Sequence, residues 1–220
     1  MIKFLFFDLD GTLTDPKEGI TRSVDYALRT VCDIQTADLD TLTPYIGPPL
    51  VDGFMENHHL DRATAERCRD AYRERYRTVG LLENRLFPEI PAVLQTLKQQ
   101  GYTLCVATSK PEEFAVRILE HFDLAGYFTI ISGATMDGRI STKQEVIQNT
   151  LRRCGNPSCS QVLMIGDRKH DIEGAHACDI AAIGVLYGFG SEAELQTAGA
   201  DAIALSITSL PDIIAQMNPC

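Results

Sequence analysis

The stretch that decides the fold is "FLFFDLDGTLTD", residues 4–15. Four large apolar residues run straight into Asp8, and a second carboxylate, Asp10, follows two positions later. An apolar run without alternation reads as a strand covered on both faces. Placing two like charges at the tip of a buried strand is electrostatically costly. Something in the function has to require both carboxylates there.

Other apolar runs repeat the pattern: "TLCVA" (103–107), "FTIIS" (128–132), "QVLMI" (161–165) and "IAAIGV" (180–185), with "AIALSI" (202–207) as an edge strand. Helical periodicity separates them. Ile90, Val93, Leu94 and Leu97 share one face before Gly101, and Phe114, Ile118 and Leu119 share another after Pro111. Thr142 with Glu145, and Ser191 with Glu194, have capping-box spacing. Alternating strands and helices predict a doubly wound α/β fold with a parallel sheet.

One interval breaks the alternation. Between about residues 16 and 82 no strand pattern occurs. Ile20, Val24, Ala27, Leu28 and Val31 recur at helical spacing, and so do Ala65, Cys68, Tyr72, Tyr76 and Val79. The division predicted is an α/β core of 1–15 and 83–220, interrupted by an all-helical insertion, 16–82. Its joints fall near 15–17 and 84–88, where the periodicity lapses. Arginines at 62, 67, 69, 73, 75 and 77, interleaved with Glu66, Asp70 and Glu74, read as a solvated helix face.

Composition narrows the partners. The 220 residues are 45% hydrophobic and 23% charged, ordinary values for a globular enzyme, with a formal net charge of −10. That charge disfavours nucleic acid and anionic membranes as partners, but not a small anion held at a local positive site. No apolar run approaches the roughly 20 residues of a spanning helix. Asp8 and Asp10 stop the first run before a signal-peptide core could form, so the expected location is the cytoplasm. Seven scattered cysteines read as free thiols, and Cys154 with Cys159 form a lone C-x4-C without the second pair a zinc site needs.

In open α/β sheets, ligands sit at the carboxyl ends of the strands. Asp8 and Asp10 follow the first strand, and Thr108 and Ser109 end the second. Lys143 follows the third at a helix start, and "GDRKHD" places Asp167 and Asp171 after the fourth. Four strand ends thus offer carboxylates, a hydroxyl and an ammonium to one crevice. A calcium loop starting at Asp8 fails, because position twelve is Gly19 and a strand precedes it. "GFGS" (188–191) follows the last strand rather than the first, so it reads as a tight turn, not a dinucleotide site. Lys110 and His170 read as surface or supporting residues.

In this order, "DLDGTLTD", "VATSKP", Lys143 and "IGDRKHD" resemble the four motifs of the haloacid dehalogenase superfamily of phosphatases. The insertion is placed like that family's type-one helical cap on a Rossmann-like core. The resemblance implies that Asp8 is a nucleophile forming an aspartyl-phosphate, with Asp10 as general acid and base. It implies Mg2+ bound by Asp8, the backbone carbonyl of Asp10, Asp167 and Asp171. Thr108 and Lys143 would neutralise the phosphoryl group. A dehalogenase would lack Asp10, and a phosphonatase would need a cap lysine, whereas no lysine lies between Lys17 and Lys98. A sugar phosphomutase stays open on these motifs, and a non-catalytic module is disfavoured because each motif position is filled.

Within the phosphatases, "DPKEGITRS", "YIGPPL", "ENRLF", "ATSKP", "GDRKHD" and "YGFGS" resemble bacterial 5′-nucleotidase-like members. The substrate implied is a small phosphorylated metabolite, a nucleoside 5′-monophosphate first. Phosphoglycolate, or a broad set of metabolites, is the alternative. Ser109, Gly47, Tyr45 and Phe54 are the candidate substrate contacts. The stretch 41–59 has no lysine or arginine to meet a glycolate carboxylate, which leaves His58 or an arginine of 62–77 for that task, and Tyr45, Phe54 and Met55 offer surfaces for a flat base. The same side chains serve equally as cap core.

Overall fold

A computed structural model describes residues 1–218. In chain order its elements are β1 (Phe4–Phe7), β2 (Thr14–Asp15), α1 (Lys17–Cys32), α2 (Leu50–His58), α3 (Arg62–Arg75), β3 (Arg85–Leu86), α4 (Ile90–Gln99), β4 (Thr103–Pro111) and α5 (Glu112–His121). There follow β5 (Ile130–Ala134), α6 (Lys143–Arg153), β6 (Val162–Gly166), α7 (Lys169–His176), β7 (Ala181–Val185), α8 (Glu192–Thr197), β8 (Ala202–Ala204) and α9 (Leu210–Met217). The chain divides into two compact units, Met1–Thr14 with Leu86–Cys220, and Asp15–Arg85. Both crossings fall within β2 and β3, which pair as a two-stranded sheet.

The larger unit carries a six-stranded sheet in the order β5-β4-β1-β6-β7-β8, every pair parallel. Alternation along the strands sends Phe6, Cys105, Ala107, Met164 and Ala182 to one face, where Val146, Ile147, Ile172 and Leu195 from α6, α7 and α8 complete a buried cluster. Leu5, Phe7, Leu104, Val106, Leu163 and Ile165 are equally buried, so the sheet is covered on both faces. The chain runs outward from β1 through β4 to β5, then returns to the other side of β1 for β6. The strand order therefore reverses between β1 and β6, which is where a doubly wound sheet opens its ligand crevice.

Three strands differ from the sequence reading. β4 runs on to Pro111, with its pairing to β5 shifted between Thr108 and Pro111. β5 starts at Ile130, because a 3-10 turn at Ala125–Tyr127 brings the chain in. β8 stops at Ala204, after which Leu205 is exposed and Ile207 opens a 3-10 turn.

The smaller unit is helical. Ile20, Val24, Ala27 and Leu28 form the buried stripe of α1, and Ala65, Cys68, Ala71 and Tyr72 that of α3. Asp61 caps α3 by accepting from the Thr64 N–H. The stripe expected to reach Val79 ends at Tyr76, and Val79 is half exposed. A π-helical turn, Tyr76–Gly80, inserts extra backbone per turn and rotates Val79 off the buried face. On α3, Arg62 pairs with Glu66 and Arg69 with Asp70, as suits a solvated face. Arg75 instead forms a two-pronged pair with Glu83 at 2.7 and 3.0 Å. No helix among the described residues is long and apolar enough to cross a membrane.

Candidate active site

The backbone past β1 is shaped to present carboxylates. Asp8 donates its N–H to Ile165 O at 2.9 Å, continuing the β1–β6 ladder by one residue. The chain then turns back on itself. Thr12, Leu13 and Thr14 donate to Leu9 O, and Gly11 adopts φ +82°. Only glycine takes that conformation without strain. A side chain at Gly11 would also strike the Asp167 carboxylate.

Asp167 and Asp171 come from the other side of the crevice. Asp167 is fully buried just past β6, and its Oδ2 accepts the Phe189 N–H at 2.8 Å. The "GFGS" loop is therefore more than a turn, because Gly188 lies so close that any side chain there would collide with Asp167 and Gly11 O. Asp171 sits in the first turn of α7 and accepts the Arg168 N–H at 3.0 Å. Thr12 Oγ1 donates to Asp167 Oδ1 at 3.5 Å.

Lys143 opens α6, where the Thr142–Glu145 capping box fixes the helix start. Its side chain is buried, with Nζ 2.8 Å from Asp8 Oδ1, 2.7 Å from Asp171 Oδ1 and 3.1 Å from Ala107 O. Thr108 is buried at 1% exposure, and its Oγ1 accepts the Lys110 N–H at 3.2 Å. That leaves the Thr108 hydroxyl proton free to be donated elsewhere. Ser109 is half-buried beside it.

The electrostatics follow from crowding. Burial pushes the Asp167 carboxyl well above the usual range, and the charges of Asp171 and Asp8 push the same way. Asp171 is pushed up to about 6 by burial, against the pull of Lys143. Asp10 is raised by burial too, and its neighbour Lys110 opposes the shift. Burial disfavours the Lys143 charge, but Asp171 and Asp8 outweigh it and the ammonium holds its proton.

One ammonium does not balance three carboxylates. Ligand oxygens of Asp8, Asp167 and Asp171 lie within 4.8 Å of one another, and all three residues are buried. Asp8 Oδ1 and Asp171 Oδ1 accept no aligned hydrogen bond, although Lys143 is close to both. An all-oxygen, anionic donor set with spare acceptor capacity fits a hard divalent cation. A separate surface cavity of about 400 Å³ lies beside the end of β5. It contains none of these carboxylates, and its charges are already paired, Glu112 with Arg153 and Asp137 with Arg139.

The match to known families settles the lineage. A family model described as haloacid dehalogenase-like hydrolase matches residues 5–185. The chain belongs to the haloacid dehalogenase-like hydrolases. Among relatives of this hydrolase is a 5′-nucleotidase of Pseudomonas aeruginosa, 49% identical over 192 residues, covering 87% of this chain and 86% of that protein. The tyrosine-protein kinase PtkA of Mycobacterium tuberculosis is 37% identical over 193 residues, covering 86% of this chain but 63% of that protein. A crystal structure of a predicted phosphatase from Clostridium acetobutylicum superposes with a TM-score of 0.95 at 45% identity, covering 98% of this chain and 99% of that one. Within the haloacid dehalogenase-like hydrolases, the chain is a phosphatase of the α/β class.

The hydrolase brings together Asp8, Asp10, Thr108, Lys143, Asp167 and Asp171 in its larger unit, with Ser109 alongside. Gly47, Tyr45 and Phe54 lie in the helical unit. Two of these need correction. Tyr45 is 3% exposed and Phe54 fully buried, with their rings 5.0 Å apart and Tyr45 Oη 2.7 Å from His58 Nδ1. Each ring is consumed by packing and presents no open face for a base. Gly47, at φ +106°, marks a tight bend in the loop before α2.

For Lys110 the structure selects the supporting alternative over the surface one. It is not a surface residue but is buried, and it forms an ion pair with Asp10 Oδ2. The available signal was its place two residues beyond Thr108 in an extended segment, where strand alternation returns a side chain to the same side.

Proposed function

We propose that the protein is an Mg2+-dependent phosphomonoester hydrolase acting through an aspartyl-phosphate, on nucleoside 5′-monophosphates, with the inserted helical unit as its substrate-selecting cap. The observation that carries the chemistry is Lys143 bridging Asp8 and Asp171 within a buried carboxylate cluster. Asp8, Asp167, Asp171 and the Asp10 carbonyl would hold the cation. When bound, Mg2+ supplies the positive charge that lets an anionic carboxylate meet an anionic phosphate.

The side chains then divide the work. An Asp8 oxygen attacks phosphorus, and the P–O bond to the leaving group breaks. Asp10 gives its proton to the departing oxygen, then takes one from the water that attacks the aspartyl-phosphate. That second attack restores Asp8 and releases inorganic phosphate. Thr108 donates its hydroxyl proton to a phosphoryl oxygen, and the Lys143 ammonium balances charge at Asp8.

The nucleotide assignment is supported by the 49% identity to a 5′-nucleotidase across most of both chains. It draws no support from Tyr45 or Phe54, whose rings are buried. The deciding experiment ranks phosphorylated metabolites by kcat/KM with Mg2+. Nucleoside 5′-monophosphates are expected to lead. A lead of about tenfold for phosphoglycolate over every nucleotide would overturn the substrate assignment and leave the phosphatase chemistry standing. The likeness to a tyrosine-protein kinase adds one arm, a nucleoside triphosphate with a tyrosine peptide. Transfer to the peptide faster than hydrolysis of any monophosphate would overturn the hydrolase reading.

A further inference from the structure

We infer that Lys110 is a positioning residue that locks the Asp10 carboxylate by binding Oδ2, so that Oδ1 is the oxygen that exchanges the proton; this rests on the proton-transfer role assigned to Asp10 above. Lys110 sits near the end of β4, and its side chain, 5% exposed, reaches Asp10 Oδ2 on a carboxylate that is 11% exposed. The Lys110 backbone is itself fixed. Its N–H is given to Thr108 Oγ1, and Pro111 follows with restricted φ.

The two oxygens of Asp10 are therefore unlike. Oδ2 is occupied by the ammonium, whereas Oδ1 is buried and has no hydrogen-bond partner among the described residues. A buried acceptor without a partner is costly to keep, and Asp10 Oδ1 shares that state with Asp8 Oδ1 and Asp171 Oδ1 of the same carboxylate group. A proton-transfer group must hold one oxygen within hydrogen-bond reach of the leaving group throughout the step. A carboxylate free to rotate would spend part of its time with neither oxygen aimed there, and a lysine on Oδ2 removes that freedom. Lys110 and Lys143 then have separate tasks. Lys143 serves Asp8 and Asp171, and Lys110 serves Asp10.

The test is a double-mutant cycle of Lys110→Met with Asp10→Asn. It is read on an aryl phosphate with a good leaving group and on a nucleoside 5′-monophosphate with a poor one. Lys110→Met is expected to lower kcat on the nucleotide by about 10–100-fold, with KM within about threefold, and to change the rate of the phenol burst from the aryl phosphate by less than about threefold. In the Asp10→Asn background, Lys110→Met should cost less than about threefold on either substrate. Equal losses in the first step on both substrates, with the phenol burst slowed as much as the nucleotide reaction, would mean that Lys110 contacts the phosphoryl group itself, and would overturn the inference. An undiminished loss in the Asp10→Asn background would overturn it as well.

Lys110→Gln keeps a donor and most of the length, and it replaces the methionine variant should that one not fold. A crystal structure of whichever variant folds supplies the arm that needs no turnover. A rotated Asp10 carboxylate supports the inference, and one left in place overturns it. Wild-type protein inactive on both substrates would strike the phosphatase reading, while the crystallographic arm would still decide the role of Lys110.

Discussion

Lys143 Nζ stands 2.8 Å from Asp8 Oδ1, and both side chains are buried. The lysine is the fixed positive charge of the cluster, because Asp171 and Asp8 keep it protonated against the effect of burial. Lys143→Met therefore leaves buried carboxylates facing one another. The expected loss is about 3–5 kcal/mol of stability in chelator, the usual cost of breaking a buried ion pair from one side. Mg2+ should recover part of it, so the rise in Tm on adding Mg2+ should be larger in the variant than in wild type. An equal rise in both would contradict the shared charge balance.

The Phe189 N–H and the close approach of Gly188 hold Asp167 in place. Gly188→Ala should push Asp167 aside, with a cost of about 1–3 kcal/mol from overpacking. Its Mg2+ requirement for turnover should move to higher concentration, as should that of Asp167→Asn. Chelator should abolish turnover in wild type. Full turnover in chelator would remove the cation from the mechanism. A Gly188→Ala protein with an unchanged Mg2+ requirement would remove the loop from its support.

The sheet was readable because each strand of the core is a short apolar run, and burial on both faces leaves no other use for such a run. Asp8, Lys143, Asp167 and Asp171 were readable for a related reason. Each lies between the end of an apolar run and the first turn of the helix after it, and the parallel sheet delivers all strand ends to one edge. What escaped the sequence depended on contacts between distant residues. Lys110 could be a surface or a supporting lysine until β4 is seen to continue to Pro111 and meet Asp10, 100 positions earlier. Gly188 and Phe189 look like a turn until Asp167 is found against them. Val79 keeps helical spacing in the sequence, but the π-turn changes the period beneath it. Tyr45 and Phe54 have the composition of a base-binding pair and of a core pair alike. Only their burial and mutual packing separate the two.

Glu83 gives the helical unit a pH dependence. Hydrogen bonds from Arg75, with Arg22 in support, hold its carboxyl below the usual value of 4.5. A carboxyl whose folded pKa is lowered adds stability above its unfolded pKa and loses it as pH falls through the lowered value. Glu83→Gln should thus lower stability by about 1 kcal/mol near neutrality, a value suited to a two-pronged pair that is 17–20% exposed. The gap between wild type and variant should close as pH falls below about 4.5. Thermal unfolding of both proteins between neutral and acid pH checks this. A gap that stays constant through the acid range would mean that the pair contributes nothing through charge.

Asp8 and Asp10 should fail in different ways. Without its nucleophile, Asp8→Asn has no route to the covalent intermediate, and activity should fall by about 10⁴-fold or more on every substrate. Asp10→Asn keeps the nucleophile and the cluster around it, and loses only the proton that the leaving oxygen needs. Its loss should be roughly 10²–10⁴-fold on a nucleoside monophosphate, whose alkoxide leaves poorly without a proton. An aryl phosphate with an acidic phenol leaves without that help, so the first step should be nearly spared. Any remaining loss should then appear in hydrolysis of the intermediate. Burst kinetics on the aryl phosphate separate the two steps: a burst of phenol followed by slow turnover is expected in Asp10→Asn and absent in Asp8→Asn. Equal loss on both leaving groups, with no burst, would show that Asp10 transfers no proton.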